Sequence, residues 1–571
     1  MKFERFWCCA VVLAMVFGCT ALGSAQELVS GQARVTQSTE FVAPAARVVA
    51  NDLPQVTAQQ TAIHAVPSPR VRFSDQEWAT IKQQAAVAPA STRAALANAL
   101  QPRGAGAGAT PGLFANFLGS NEDQGCSGLT PSDMGLATSP KYVVQVVNAC
   151  FAVWIRPANT LATGFPKSLA ALMNRPAGTF VFDPRAQFDY VTSRFVITAS
   201  EISGGNGFLD IAASSTNDPR GAYHVYHLQT GGNGNFPDYP TLGQDHASNP
   251  FNGTINICAN IFVINGGFVT TQCDFLPKAP IYAGAGFSFN FFTGFSFGGT
   301  IDTLQPVNVS EKGEQPRATF LINSHNGGFS HPANGLDVWA FTNTIVASGS
   351  PGPRFTALHV ATPSSYNFPA NADQPGSDNS IETLDNRISG QVMYNAGRLY
   401  PMIDVGNGGT SADLGWIVRV FLGTDNVDTT NCVGAFANAC AGLTAVTIEQ
   451  EFCYDCGAAH VADAYFGTIG VTPEGNWTMY STFSNRNISP GPFVASNRVT
   501  WPTPFHDGGF FTCQNQHFYN QVRWGDYMAA ALDLVLHNST QPAIWGSGMF
   551  VQSNGDWGTC VSANQYSANE P

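Results

Sequence analysis

Three observations predict an all-β chain. Of its 571 residues, 44% are apolar, 12% aromatic and only 11% charged, so burial has ample surface with which to offset the entropy of ordering. Gly (57) and Pro (35) are abundant, and Phe, Thr and Asn outnumber Lys and Glu, a balance of turn formers and strand formers. The third is a complete meander. Ala186–Val191, Arg194–Glu201, Phe208–Ser214 and Tyr223–Gln229 are β-rich runs separated by Thr192-Ser193, by Ser203-Gly204-Gly205-Asn206 and by Asn217-Asp218-Pro219-Arg220-Gly221. Four antiparallel strands in roughly 45 residues make the repeating unit of a β-propeller, and the chain beyond residue 110 has room for about seven such blades, with six and eight as the alternatives.

The first residues predict export. Lys2 and Arg5 precede an apolar run from Phe6 to Gly18, and Leu22-Gly23-Ser24-Ala25 supplies small residues for cleavage, the pattern of a secretory signal over residues 1–25. The run is too short to span a bilayer. Gly18-Cys19 offers a rival reading, a lipid-anchored Cys19, which the bulky Phe17 disfavours. The expected location is secreted, extracellular or periplasmic. The ten cysteines after the leader then read as disulfides. Close spacing suggests Cys258 with Cys273, Cys432 with Cys440 and Cys453 with Cys456, leaving Cys126, Cys150, Cys513 and Cys560 for longer links. Cys453-Tyr454-Asp455-Cys456, with His460 nearby, has no second Cys-x-x-Cys and no thioredoxin-like surroundings.

Residues 26–110 differ from the rest of the chain, being rich in Ala, Gln and Val and free of Cys. Ser74-Asp75-Gln76-Glu77 is an N-cap signature, and Trp78 to Leu100 carries good helix formers interrupted by Pro89. Gly104 to Ala109 has the composition of a flexible linker. The expectation is a partly helical N-terminal segment and linker, a pro-segment or stalk, ahead of a propeller domain over residues 111–571.

Within that domain one pattern repeats. Asp238-Tyr239 is followed by Asp245, and Asp526-Tyr527 by Asp533 at the same spacing, each pair opening a first, innermost strand. Asp385-Asn386-Arg387 leads into Gly390–Tyr394, and Ala464–Val471 leads into a Pro473-Glu474-Gly475-Asn476 turn. Asn265-Gly266-Gly267-Phe268 and Asn326-Gly327-Gly328-Phe329 look like matched turns, and Phe287–Phe297 alternates Phe with small residues. The last unit supplies only three strands, Tyr527–Leu534, Ala543–Phe550 and Trp557–Ser562. Tyr142–Ile155 is therefore expected to pair with them, closing the ring and removing both edges.

Phe182-Asp183-Pro184-Arg185 with Phe188-Asp189, Asp238-Tyr239-Pro240-Thr241-Leu242-Gly243, Arg523-Trp524-Gly525-Asp526-Tyr527 and the closing Trp557-Gly558-Thr559 together resemble a group of secreted bacterial sialidase-like, seven-bladed propeller proteins of unsettled function. The resemblance covers about residues 140–565. It implies the propeller and export, and adds little about chemistry. The Ser-x-Asp-x-Gly-x-Thr-Trp turns of sialidases are missing, and Ser553 to Thr559 matches them only in part.

Charge narrows the function. With 26 Lys+Arg against 39 Asp+Glu, the chain lacks the basic footprint of a nucleic-acid or anionic-lipid binder. Propellers bind ligands where the first strands begin, so Asp238, Tyr239, Asp526 and Tyr527 are the catalytic candidates, carboxylates from different blades able to converge on a sugar. Arg185, Arg194, Arg387 and Arg523 are the ligand-binding candidates, suited to a carboxylated sugar. Against this stands the plain alternative that each Asp caps a turn or ties blades through an Asp–Arg pair.

No metal site is predicted among the 11 histidines. His224 and His227 fall on opposite faces of a strand. His325 with His331, and His506-Asp507, lack a third ligand. Asp425-Asn426-Val427-Asp428 is acidic enough for a structural calcium but lacks EF-hand spacing. No nucleophile elbow is present. Trp416, Trp477, Trp501, Trp524, Trp545 and Trp557 suit the core better than sugar platforms. The expected function is an extracellular binding or scaffold module for glycan or protein, without a cofactor. The alternative is a polysaccharide-active enzyme, a sialidase-like glycoside hydrolase or a lyase.

Overall fold

The computed structural model describes residues 25–565 except 57–63, 66–68, 70, 72, 89–111, 125, 127–128, 247–252, 311–313, 315, 326–334, 347–351, 424–440, 457–461, 498–508, 514–516 and 535–541. The leader with Cys19, the Gly104–Ala109 linker, Asn326 to Phe329, His331, Asp425 to Asp428, Cys432, Cys440, His460, Trp501, His506 and Asp507 lie outside the described residues.

Among the described residues, seven antiparallel sheets of four to six strands follow one another along the chain. Their innermost strands are Gly135–Thr138 (sheet I), Phe180–Asp189 (II), Asn235–Gln244 (III), Gln305–Pro306 (IV), Met402–Gly406 (V), Asp463–Val471 (VI) and Ala529–Asp533 (VII). Except between IV and V, each inner strand packs on those of its neighbours, and sheet VII returns to sheet I. Between IV and V the link runs through Ile388, whose carbonyl accepts from Gln305 and which bridges to Ile403. Sheets arranged radially about one axis make the chain a β-propeller. In the meander of sheet II the strands run Phe180–Asp189, Arg194–Ser203, Asn206–Ser214 and Ala222–Asn233, joined at the turns that Thr192-Ser193 and Gly204-Gly205 mark.

The core is a series of layers between blades. Phe151 and Val153 of sheet I meet Phe188, Phe195 and Ile197 of sheet II, and Leu209 and Ile211 of sheet II meet Leu242, Ile255 and Ile257 of sheet III. A blade covered on both faces has no solvent side, so its strands read as nearly continuous apolar runs. Trp416, Trp477, Trp524, Trp545 and Trp557 are fully buried and belong to these layers, each contributing about 1.5–3 kcal/mol by burial. Inner strands approach closely where a side chain is absent: a Cβ on Gly243 would stand 2.6 Å from the Pro306 carbonyl oxygen.

Ring closure differs from the expectation. Tyr142–Val147 and Cys150–Ile155 form a hairpin over the Asn148-Ala149 turn and take Gly135–Thr138 as inner strand, so they build sheet I. The fourth strand of sheet VII is Gly112–Asn121, paired antiparallel with Trp557–Gln565. The N-terminal segment also adds strands elsewhere. Ala33–Val42 pairs with Phe287–Phe297 and Gln26–Ser30 with Ala33–Val42 on sheet III, while Ala46–Val49 extends sheet II. These additions cover edges that would otherwise offer unpaired backbone groups. The helix Asp75–Ala86 starts with the Ser74–Glu77 capping box and ends ahead of Pro89.

Four disulfides join described cysteines: Cys126–Cys150, Cys258–Cys273, Cys453–Cys456 and Cys513–Cys560. The last ties the segment after sheet VI to Trp557–Gln565 of sheet VII. Among the described residues no helix is long and apolar enough to cross a membrane.

Candidate functional site

Three of the inner strands, those of sheets II, III and VI, share a distortion near their first residues. The ladder skips two residues between Phe182 and Arg185, between Asp238 and Thr241 and between Tyr465 and Thr468. The first skipped residue has positive φ in each case: Asp183 (52°), Tyr239 (54°) and Phe466 (57°). Such bulges re-aim side chains at barrel rims. Here they place Asp183 and Tyr239 at the end of the ring where the inner strands begin, its channel mouth. Buried carboxylates of adjacent blades hold two of these bulges and the chain entering sheet VII. The Tyr239 amide donates to Asp183 Oδ2 (3.2 Å), the Asp526 amide to Asp133 Oδ1 (2.7 Å) and the Phe466 amide to Asp404 Oδ1 (2.8 Å).

Seven of the eight candidate residues meet at this mouth. Tyr239 and Tyr527 pack edge to face with centroids 5.7 Å apart. The Arg185 guanidinium carbon lies 3.1 Å from the Tyr527 centroid and 5.3 Å from that of Tyr239, and the Arg387 carbon lies 4.8 Å from the Tyr239 centroid. Arg185 Nε donates to the Pro240 carbonyl (2.9 Å), and the Tyr527 hydroxyl donates to the Pro184 carbonyl (3.1 Å). Arg523 Nη2 donates to both oxygens of Asp526 at 2.7 Å. Arg387 grips Asp385 bidentately at 2.7 and 2.8 Å. Asp238 faces this group and is 5% exposed.

The electrostatics follow from burial. Desolvation, reinforced by the Asp526 charge, pushes the Asp238 carboxyl up to about 8 against the pull of Arg387 and Arg523. Asp133 and Asp183 are raised by burial and by neighbouring carboxylates. Asp238 thus holds its proton at neutral pH beside an Asp526 paired with arginine. Three buried atoms of the cluster, Asp238 Oδ1, Asp183 Oδ1 and Arg185 Nη2, have no protein partner. Below the mouth a cavity of about 20 Å³, lined by Arg185, Gln187, Gln305, Gln391 and Met528 among others, has room for about one water molecule.

Arg194 stands apart. It pairs opposite Asp189, at the far end of the first strand of sheet II, and its Nη1 donates to the Thr192 and Ser193 carbonyls. Six residues of extended chain separate it from the mouth, roughly 20 Å, and its place after the hairpin turn is the reason. The repeated Asp245 and Asp533 also lie at far ends, where they tie blades. Asp245 accepts from Thr254 and from Thr319 of sheet IV, and Asp533 accepts from Trp545 and pairs with Arg156 of sheet I at 2.8 Å.

Sequence reasoning missed Asp133, Asp385 and Glu382 as members of the mouth. Glu382 lies 4.0 Å from Arg523 and accepts from Trp78 Nε1 of the N-terminal helix. Lys82 of that helix donates to the Pro369 carbonyl and to Thr383, so the helix is docked beside the mouth. Among the described residues, two groups of side chains have metal-ligand chemistry, His325-Asp337-His359 and Glu201-Asp210-His227. In the second Arg175 already pairs with both carboxylates. His224 bonds Ser215 and His227 bonds Asp210, two separate partners.

Together these features make the chain a β-propeller with a buried Arg/Tyr/Asp cluster at its channel mouth. No family model and no curated protein matches the chain. Among solved structures it is similar to an exo-β-1,3-galactanase from Phanerochaete chrysosporium (12% identity, 66% of this chain and 79% of that one, TM-score 0.25). It is also similar to an ulvan lyase from a new polysaccharide lyase family (10% identity, 77% and 93%, TM-score 0.28). A third likeness is to a protein of unknown function from Dyadobacter fermentans (11% identity, 69% and 96%, TM-score 0.30). No residue role follows from likeness at this level.

Proposed function

We propose that the chain is an exported β-propeller that binds an acidic glycan at its channel mouth. One observation carries the reading: Arg185 Nη2, Asp238 Oδ1 and Asp183 Oδ1 are buried within one cluster without protein partners. Each unmatched buried polar atom costs about 1–3 kcal/mol. A sugar carboxylate on Arg185, with hydroxyls on the two aspartates, matches all three, and the planar arginine fork suits a carboxylate. The four disulfides support an oxidising compartment, as the signal-like leader does.

A second reading, a polysaccharide-active enzyme, rests on a different observation. Asp238 keeps its proton up to about pH 8 beside an Asp526 held by Arg523, and carboxyls with divergent environments are how acid and base roles are divided. A panel of polysaccharides tests both, reading binding and released reducing ends together. Binding of uronate- or sialate-bearing glycans without turnover supports the binding module. Product release that Asp238→Asn abolishes in a folded protein supports the enzyme. Silence on both overturns a glycan function.

A further inference from the structure

We propose that His325, Asp337 and His359 form a binding site for a divalent transition metal of the zinc type. Three consecutive strands of sheet IV build it. Asp337 lies on Leu336–Thr342 directly opposite His359 of Arg354–Val360, and His325 follows the end of Thr319–Ser324, two residues beyond the Asn323 that faces Asp337. All three side chains converge at one end of the blade. His325 Nε2 lies 2.7 Å from Asp337 Oδ2, His359 Nδ1 lies 3.0 Å from Asp337 Oδ1, and the candidate ligand atoms of the three residues all fall within 4.8 Å of one another. A tetrahedral ion with bonds of about 2.0–2.2 Å needs ligand atoms roughly 3.3–3.6 Å apart, so the two carboxylate contacts must open by roughly 0.3–0.9 Å to admit it.

The surroundings fit a held site. Asp337 is fully buried, and a buried carboxylate requires positive charge. Among the described residues its ion pairs are with these two histidines. A dication bound by both imidazoles and the carboxylate supplies that charge. Gly335 makes room for the His359 ring, since a Cβ there would stand 2.1 Å from His359 Cε1. The Tyr366 hydroxyl accepts from the amides of His325 and Gly335 and donates to the Gly335 carbonyl, fixing the backbone on both sides of the site. His325 and Asp337 are buried while the His359 side chain is 30% exposed, which gives an ion a path in. Two imidazoles with one carboxylate favour zinc and its neighbours over calcium or magnesium, and three protein ligands leave a fourth position for water.

The test is metal content and spectroscopy on the whole purified protein. After stripping with chelator, the wild type is loaded with Zn²⁺ alone and, separately, with Co²⁺ alone. The expected result is one equivalent of zinc above the content of His359→Ala, and visible Co²⁺ bands of a four-coordinate site that vanish in that variant. His359→Gln serves as a second variant if truncation to Ala impairs folding, and His227→Ala is expected to keep the full equivalent. Equal zinc in the wild type and both His359 variants, or loss that follows His227→Ala instead, would overturn the proposal.

Discussion

Arg185 and Tyr527 stack in the centre of the ring, the guanidinium carbon 3.1 Å from the ring centroid. One belongs to sheet II and the other opens sheet VII, so the contact joins early and late parts of the chain where the candidate ligand site lies. Arg185→Lys keeps the charge and loses the planar face, and a desolvated cation–π contact is worth about 2 kcal/mol. Arg185→Lys is expected to lower stability by about 1–2 kcal/mol in urea denaturation. An unchanged midpoint would show that the stack contributes nothing.

Far from the mouth, Asp189 and Lys278 form a fully buried pair at 3.1 Å. Burial alone would raise the Asp189 carboxyl, but Lys278, with His246 and hydrogen bonds, holds it at about 2. A folded-state pKa below the ordinary value stabilises the protein above about pH 4, and that contribution is lost as pH falls from there through 2. Lys278→Met strands the carboxylate and is expected to cost about 3–5 kcal/mol at pH 7, with the deficit shrinking in acid. Equilibrium unfolding at pH 7 and pH 3 checks both parts.

Asp238 runs the other way. Its folded-state pKa of about 8 lies above the ordinary value, so its contribution is complete below about pH 4 and fades as pH rises to 8. Asp238→Asn removes that titration. The variant is expected to gain on the wild type by about 1 kcal/mol per pH unit within that window, and parallel pH–stability curves would refute the assignment.

Gly243→Ala addresses the packing of the ring. Its Cβ would meet the Pro306 carbonyl oxygen at 2.6 Å, backbone that cannot swing away, and an overpacked core loses about 1–3 kcal/mol. Thermal denaturation is expected to show a lower midpoint, with the far-UV spectrum unchanged.

Much of the fold was legible in the sequence where local chemistry decides. The strands of sheet II were readable because turn residues bound each run, and the Asp-Tyr repeats marked the starts of two inner strands whose tyrosines meet. The limits are equally physical. Strand pairing is long-range, so nothing local in Gly112–Asn121 signals that it closes the ring against Trp557–Gln565, and the Ala/Gln/Val composition of residues 26–49 concealed strands that form only on existing edges. Arg194 shares its residue type with Arg185 but sits past a hairpin turn, at the other end of the blade. His325 looked like half of a pair because its partners, Asp337 and His359, come from the next two strands. Asp133 joined the mouth through a tertiary contact with Asp526 that no spacing encodes.

A ligand site at the mouth is best tested by isothermal titration of an acidic oligosaccharide from the polysaccharide panel into the wild type, Arg185→Ala and Arg194→Ala. The mouth site predicts that Arg185→Ala weakens binding by about tenfold or more, the loss of one charge-assisted hydrogen-bonded contact, while Arg194→Ala binds like the wild type. Equal affinity in the wild type and folded Arg185→Ala, or a loss confined to Arg194→Ala, would contradict a site at the mouth.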